Sequence, residues 1–167
     1  VLRSGDYRGV LAEAAGHEGV REAPVSFVAT STWWRNAWKY RARTFRHAFW
    51  DSGTVLANLL ATATAIDLPA EVVLGFADDP IVRLLGLDPE HEAPLEVVPV
   101  GIDVDAPVPE PPAIDPIHPS TVPLSDHEVE YPLIYEAWEA GTLADGESAT
   151  EWRDAGDDRL GTRTPGD

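Results

Sequence analysis

Residues 44–66 read TFRHAFWDSGTVLANLLATATAI, and this stretch is the longest predicted element of the chain. Apolar side chains recur along it at intervals of three and four residues, the spacing of one face of an α-helix. The pattern predicts one long, largely buried helix, and Pro69 follows its end. Gly53 costs such a helix about 1 kcal/mol relative to alanine, so we expect close packing at that point. The apolar positions are Phe45, Phe49, Val55, Leu56, Leu59, Leu60, Ala63 and Ile66.

The segments around this helix alternate between strands and shorter helices. Short apolar runs between turn residues predict the strands, and three- or four-residue spacing predicts the helices. Asp78 and Asp79 precede Pro80 and are interpreted as capping residues of one short helix. The layout predicts an α+β or α/β fold with a small sheet. The predicted short helices are residues 6–15 and 78–85, and the predicted strands are residues 24–30, 71–77 and 95–100.

The composition excludes several classes of protein. The 167 residues include 29 Asp or Glu, 12 Lys or Arg and no Cys, for a formal net charge of −17. Without cysteine there is no disulfide, no thiolate metal site and no cysteine nucleophile. The five histidines lack the spacing of a metal site. So acidic a chain disfavours nucleic acid and anionic membrane as partners, and we expect a soluble, cytoplasmic protein without a membrane span.

The basic residues consist of eleven Arg and a single Lys, Lys39. Few lysines beside many carboxylates are typical of proteins that stay soluble at high salt, so we expect a halophilic source. The chain holds no Met and begins with Val1, from which we expect a processed or partial chain.

Charge and proline divide the chain near Gly101. Residues 1–100 carry nine basic and 13 acidic residues, whereas residues 101–167 carry three and 16. Eight of the 15 prolines lie between Pro107 and Pro132, where neither a helix nor a strand ladder continues. We expect a core domain (1–101), a Pro-rich acidic linker (102–131) and a C-terminal part (132–167). The C-terminal part is predicted to contain a helix over 132–140 and a mobile acidic tail beyond Asp154. We interpret this part as leading toward a second copy of the domain.

One basic stretch contrasts with this acidic background. Residues 33–47, here called the cationic segment, read WWRNAWKYRARTFRH and hold five of the 12 basic residues. No carboxylate lies between Glu22 and Asp51. Guanidinium groups bind phosphate or carboxylate and aromatic rings stack on flat ligands, so the segment suits an anionic, planar aromatic ligand. Two alternatives are open: the arginines pair with carboxylates elsewhere while the tryptophans fill the core, or the segment binds single-stranded nucleic acid, which the net charge disfavours.

Lys39 and Gly75 are weaker candidates when taken alone. Lys39 is the one basic position that keeps a compact ionisable amine, and aromatic residues surround it, which would suit proton transfer. The alternative is an ordinary solvated lysine. Gly75 lies at the end of a predicted strand, where a glycine permits either the close approach of a ligand or a bulge.

Six short motifs occur in order along the chain, and together they resemble the nitroreductase superfamily. Within it, the resemblance is to the SagB-type, thiazole- or oxazole-forming dehydrogenases. It covers residues 25–101. The motifs are Lys39-Tyr40-x-x-Arg43-x-Phe45-Arg46, Asp51-x-Gly53-x-x-x-x-Asn58-Leu59, Leu68-Pro69, Val73-Leu74-Gly75-Phe76-x-Asp78-Asp79, Leu84-Leu85-Gly86-Leu87-Asp88-Pro89-Glu90 and Val98-Pro99-Val100-Gly101.

The resemblance implies an FMN-dependent oxidoreductase. Members of the superfamily are α+β sandwiches that form homodimers with FMN at the interface. The SagB-type branch oxidises azolines to azoles in modified peptides with a catalytic Lys-Tyr pair, which here corresponds to Lys39 and Tyr40. The segment 74–76 is implied to lie along the flavin ring. The implied cofactor-binding residues are Arg43, Arg46, Asn58, Leu74, Gly75 and Phe76.

The chain also departs from the family pattern. Members begin with an Arg- and Ser-rich segment that holds the FMN phosphate, and this sequence has no counterpart. We therefore expect an incomplete sandwich, the C-terminal portion of such a domain, with the missing N-terminal half of the FMN site supplied by other sequence. The substrate is expected to be a peptide or a small molecule. A different interpretation is a non-catalytic relative that serves as a scaffold or peptide-binding partner in a biosynthetic complex.

Overall fold

The computed structural model describes residues 1–102, 108–120, 122 and 125–160, with side chains up to residue 156. Within this part of the chain, α-helices pack around a two-stranded antiparallel sheet. The helices are α1 (Arg8–Ala15), α2 (Glu18–Glu22), α3 (Trp34–Tyr40), α4 (Thr44–Ala65), α5 (Asp78–Leu85), α6 (Pro132–Glu139) and α7 (Gly146–Leu160). A 3-10 turn covers Arg41–Arg43, and the strands are β1 (Val25–Thr32) and β2 (Glu92–Val100).

Most of the predicted elements are confirmed. Helices predicted over 6–15, 44–66, 78–85 and 132–140 correspond to α1, α4, α5 and α6, and strands predicted over 24–30 and 95–100 correspond to β1 and β2. The helices α2, α3 and α7 were not predicted. None of the helices described is both long and apolar enough to cross a membrane.

The two strands pair along their whole length, beginning with Val25 opposite Val100. Both are rich in β-branched residues, which suit a pleated and half-buried surface. The register shifts after Ala29, opposite the part of β2 that contains Pro94, a residue with no N–H to donate to a ladder. β2 is buried over nearly all of its length and forms the centre of the domain.

The strand predicted over residues 71–77 is wrong. Val73 exchanges two backbone hydrogen bonds with Val97 of β2, at 2.8 and 3.1 Å, but the segment makes isolated bridges and no ladder. Gly75 adopts a φ of +77°, a conformation that favours glycine, and turns the backbone away from the sheet. The segment is therefore an extended loop that is held to the sheet edge through Val73.

The buried side chains form two clusters that share β2. The first joins α1, α2, α5 and the extended loop to β2, and the second joins α3, α4 and α6 to β2. The first cluster includes Val10, Leu11, Val20, Val73, Phe76, Ile81, Leu84 and Val97. The second cluster includes Trp33, Ala37, Ala48, Ala93, Leu95, Ile134 and Trp138.

The long helix α4 is less buried than predicted. Only four of its 22 residues are buried within this chain. No charged residue occurs over positions 52–66, so its exposed faces are apolar or weakly polar. Val55 is 66 % exposed, and a Cβ placed on Gly53 would meet no atom within 4 Å. The close packing expected at Gly53 is not made within the described residues.

Asp78 and Asp79 do not cap α5 as predicted. Ala77 holds the N-cap position, and no side-chain cap hydrogen bond forms. Asp78 is instead 8 % exposed, and its carboxylate accepts a 3.4 Å hydrogen bond from the backbone N–H of Leu143. Burial raises the pKa of Asp78 from 3.8 to about 6. The Leu143 N–H favours the charged form and so lowers this pKa, but less strongly than burial raises it. The nearby indole of Trp138 acts in the same direction, although its N–H does not reach hydrogen-bonding geometry.

Asp78→Asn is expected to stabilise the folded chain at neutral pH by about 1–3 kcal/mol. As the pH rises from 3.8 to about 6, the unfolded chain releases the Asp78 proton before the folded chain does, so the free energy of unfolding falls. Asparagine keeps an oxygen for the Leu143 N–H without a charge, so the variant should not show this fall. Urea unfolding in acid and at neutral pH measures both effects, with the exposed Asp126→Asn as control. Equal stability of Asp78→Asn and wild type at neutral pH would contradict the expectation.

The C-terminal part is more ordered than predicted. α7 runs to Leu160, where the sequence predicts a mobile tail beyond Asp154. Asp145 accepts a 2.8 Å hydrogen bond from the Ser148 N–H and so caps the first turn, and α7 packs against α1. Parts of the predicted linker and tail, namely residues 103–107, 121, 123–124 and 161–167, lie outside the described residues.

Candidate functional site

Trp33 anchors the start of the cationic segment in the core. Its ring is buried, and its indole N–H donates a 3.0 Å hydrogen bond to the Pro89 carbonyl. Its backbone N–H donates to the His91 carbonyl at 2.9 Å. α3 follows directly and packs Ala37 into the second cluster, which leaves Lys39 on the exposed side of the helix.

Lys39 and Tyr40 belong to a stack of cations and rings that continues onto α4. The Nζ of Lys39 lies 5.0 Å from the centre of the Tyr40 ring, within the range of a cation–π contact. The Tyr40 ring stacks on the His47 imidazole with centroids 3.8 Å apart, and His47 meets the Trp50 ring at 4.9 Å. Arg46 lies 5.9 Å from the Trp50 ring. The structure thus brings Lys39, Tyr40 and Arg46 into one group of side chains.

The backbone directly after this pair is strained. Arg41 has a φ of 55° and a ψ of −140°, a conformation that costs a residue with a side chain about 1–3 kcal/mol. This turn lets α3 end at Tyr40 and α4 begin at Thr44 after a single 3-10 turn. Such strain concentrates at functional sites, which supports the choice of this region as the candidate site.

The basic side chains of the cationic segment are not neutralised within the described part of the chain. No salt bridge there involves any of them. Among the described residues, no observation favours the alternative in which these arginines pair with carboxylates elsewhere. Trp33 does fill the core, but Trp38 is 67 % exposed. The five basic residues are Arg35, Lys39, Arg41, Arg43 and Arg46.

Two buried polar atoms near the stack lack a hydrogen-bond partner among the described residues. Thr44 is fully buried and its Oγ1 is unpaired, and the Nε2 of His47 is unpaired as well. Buried polar groups are normally paired with protein or with ordered water, so these two atoms are open to a partner from outside this part of the chain. His47 was not singled out from the sequence, and no local spacing indicates it, because Tyr40 and His47 lie on different α-helices joined by a 3-10 turn with a positive φ at Arg41.

The other two candidates of this region lie further apart. Arg43 is exposed in the 3-10 turn. Asn58 is exposed on α4, about 16 Å along the helix axis from His47. Its Nδ2 donates a 2.8 Å hydrogen bond to the Thr54 carbonyl, so one of its two amide hydrogens is used within the helix. The structure does not bring Asn58 to the stack.

The segment implied to lie along a flavin ring is covered at its centre. Leu74 is 46 % exposed, whereas Phe76 is buried in the first cluster. A Cβ placed on Gly75 would lie 2.6 Å from Cε3 of Trp152, and Arg153 Nη1 donates a 2.7 Å hydrogen bond to the Gly75 carbonyl. A planar ring therefore does not fit against Gly75 while α7 is docked. A Trp-Arg pair inside an acidic tail is the sequence signal that could have indicated these contacts.

The two halves of the predicted site are held on different parts of the core. Phe76 packs in the first cluster, whereas Ala37 and Ala48, which carry the stack, pack in the second. Among the described residues, the polar contacts of Gly75 are with Arg153 of α7 and not with the cationic segment. Within this part of the chain, the predicted site is therefore present as two separate surfaces.

Glu96 is a buried acid that the sequence analysis did not single out. It is 2 % exposed on β2, and its Oε2 accepts a 2.7 Å hydrogen bond from the Ser52 hydroxyl of α4. Burial raises the pKa of Glu96, and the hydrogen bond from Ser52 acts in the opposite direction. The contact fixes α4 on the sheet, one and a half turns beyond His47. Glu96 is the one carboxylate in the otherwise apolar predicted strand 95–100, and this contrast could have indicated it as a functional candidate.

Two of three comparisons with known proteins found a match. A profile of the nitroreductase family matches residues 5–102. A comparison with curated proteins found no match. Among solved structures, the chain is similar to a protein from Anabaena variabilis described as a nitroreductase, with a TM-score of 0.65 and 24 % identity. The alignment covers 85 % of this chain and 29 % of that protein, so the chain spans less than a third of its length, and the likeness concerns the fold.

Proposed function

Because the chain belongs to the nitroreductase family, we propose that it forms part of an FMN-dependent oxidoreductase. Membership rests on the profile match over residues 5–102, more than half of the chain. The observation that supports the cofactor most directly is the cationic segment, whose basic side chains have no ion-pair partner among the described residues. FMN combines a phosphate with a flat ring system, and such a surface binds these by charge and by stacking.

The proposed reaction is the oxidation of azolines to azoles in modified peptides, which the resemblance to the SagB-type branch implies. Aromatisation of an azoline removes one proton and one hydride, and accepting a hydride is flavin chemistry. The proton requires a base from the protein. Lys39 is exposed and adjacent to Tyr40, so its amine, in the neutral form, would take the proton and become an ammonium ion. The Tyr40 phenol, fixed by its stack on His47, would orient the azoline ring.

We further propose that two copies of the chain form a homodimer through α4. The helix α4 has no charged residue from position 52 to its end at Ala65, and such a surface is normally covered. Trp50 and Val55 on this helix are nevertheless 56 % and 66 % exposed, and Ile66 directly after it is 61 % exposed. A second copy would cover this helix symmetrically. It would also bring a second cationic segment to the same interface, next to the unpaired atoms of Thr44 and His47.

A second candidate function is a non-catalytic relative that serves as a scaffold or peptide-binding partner. The observation that favours it is Trp152, which occupies the surface of Gly75 that a flavin ring is implied to need. This candidate accounts for the fold and the exposed surfaces without a cofactor.

Titration of the purified full chain with FMN tests the proposal. We expect yellow protein with flavin absorbance, or recovery of it after addition of FMN. Arg43→Ala combined with Arg46→Ala should weaken FMN binding by about tenfold or more, because each removes a charged hydrogen-bond donor. Arg83→Ala, an exposed cation on α5, is the control. A colourless chain that does not take up FMN would contradict the enzyme and favour the scaffold.

A further inference from the structure

α7 is anchored on the end of α1. Thr150 Oγ1 donates a 3.0 Å hydrogen bond to the Gly16 carbonyl, and Arg153 Nη2 donates to the same carbonyl at 2.9 Å. Gly16 ends α1 with a φ of +53° and lies against Gly146, and a Cβ on either glycine would clash with the backbone of the other segment. These contacts fix the first half of α7 on the core domain.

From this anchor, α7 reaches Gly75. Because Arg153 donates to both carbonyls, one guanidinium links Gly16 to Gly75. The neighbouring Trp152 places its six-membered ring on Gly75, with Cε3 and Cζ3 at 2.6 and 2.9 Å from the Cβ position. The indole therefore occupies the space in which any other residue at position 75 would have its Cβ.

We propose that α7 is a displaceable cover of Gly75, so that docking of α7 and binding of a planar ring at Gly75 exclude each other. The inference rests on the proposed function, which places a flavin ring along the segment 74–76. Two flat ring systems do not fit within van der Waals distance of one glycine face. A flavin ring at this position thus requires Trp152 to leave.

The contacts of α7 are of a kind that opens readily. Among the α7 side chains that the structure describes, Ala149 is the one that is fully buried, and Trp152 stays 53 % exposed. Half-exposed hydrogen bonds exchange for hydrogen bonds to water at a small net cost. Elements with few buried apolar contacts open at free energies well below that of global unfolding.

The surface under α7 stays in place when the helix leaves. The extended loop is fixed independently by Val73, which bonds to Val97, and by Ala77, whose N–H donates a 2.8 Å hydrogen bond to the Ala14 carbonyl. Leu143 is held by Asp78. The hinge is therefore the short connection 144–145, between Leu143 and the start of α7.

The test measures FMN binding and α7 opening in the full chain. Trp152→Ala and Arg153→Ala each remove contacts with Gly75, and Glu151→Ala changes a neighbouring exposed position as control. If α7 is docked about nine-tenths of the time, Trp152→Ala should lower the Kd for FMN roughly tenfold. In the wild type, FMN should increase amide hydrogen exchange over residues 146–156.

The outcomes separate this inference from the proposed function. Equal Kd values for wild type and Trp152→Ala, with α7 protected in the FMN complex, would overturn the cover and leave the FMN enzyme standing. Tighter binding by both variants without azoline turnover would support the cover and contradict the proposed reaction. Absence of FMN binding in every variant would overturn both.

Discussion

Replacing Lys39 with alanine is expected to lower the rate of azoline oxidation by about 100-fold or more while FMN binding changes little. The reason is that the substrate must lose a proton, and Lys39 is the single ionisable amine of the cationic segment. Four arginines remain to bind an anionic cofactor, so the two effects should separate. Turnover of an azoline peptide and the flavin absorbance of the same preparation measure both.

Lys39→Arg separates proton transfer from charge. Arginine keeps the positive charge and the contact with the Tyr40 ring but does not release a proton in proteins, so this variant should be as slow as the alanine variant. Tyr40→Phe keeps the stack on His47 and removes the hydroxyl, which should lower the rate less. Full turnover by Lys39→Arg would show that Lys39 acts by charge alone, and full turnover by Lys39→Ala would remove it from the mechanism.

Elements with a strong local pattern could be predicted from the sequence. α4 and α5 have apolar residues at helical spacing and end near Pro69 and Gly86, so their bounds follow from short-range physics. The α+β fold of the nitroreductase family, indicated by six motifs in order, is confirmed by the family profile and the solved structure. The SagB-type assignment stays a prediction.

Elements set by distant contacts could not be predicted. The segment 71–77 has the composition of a strand, but Gly75 turns it away from β2 after one bridge. α7 has few apolar residues and so looks like a tail, although Arg153 and two interlocked glycines dock it on α1. No local sequence pattern indicates that Arg153 donates hydrogen bonds to carbonyls of residues as distant in sequence as Gly16 and Gly75.

The candidate site also has features that the sequence predicts and features that depend on tertiary structure. The cationic segment could be predicted because its charge contrasts with the rest of the chain, and its basic side chains are unpaired among the described residues. The stack of Tyr40 on His47 and the strain at Arg41 depend on how α3 joins α4, which the sequence does not state. The assignment of Arg43, Arg46, Asn58 and the segment 74–76 to a cofactor stays a prediction.

Val55→Glu is expected to convert the proposed homodimer into a monomer. Val55 is 66 % exposed in the middle of α4, which has no charged residue from position 52 to its end at Ala65. In a two-fold symmetric dimer one substitution adds two carboxylates to the interface, and burying each without a partner costs several kcal/mol. The dimer Kd should rise by roughly 100-fold or more.

Sedimentation of the wild type and the variant over a range of concentrations measures this change. Leu133→Glu, which places the same charge on an exposed apolar position of α6, is the control and should leave the dimer intact. Because the unpaired atoms of Thr44 and His47 lie on α4, loss of the dimer should also weaken FMN binding. A wild-type chain that sediments as a monomer with FMN bound would contradict the shared site, since one copy would then bind the flavin without a second α4.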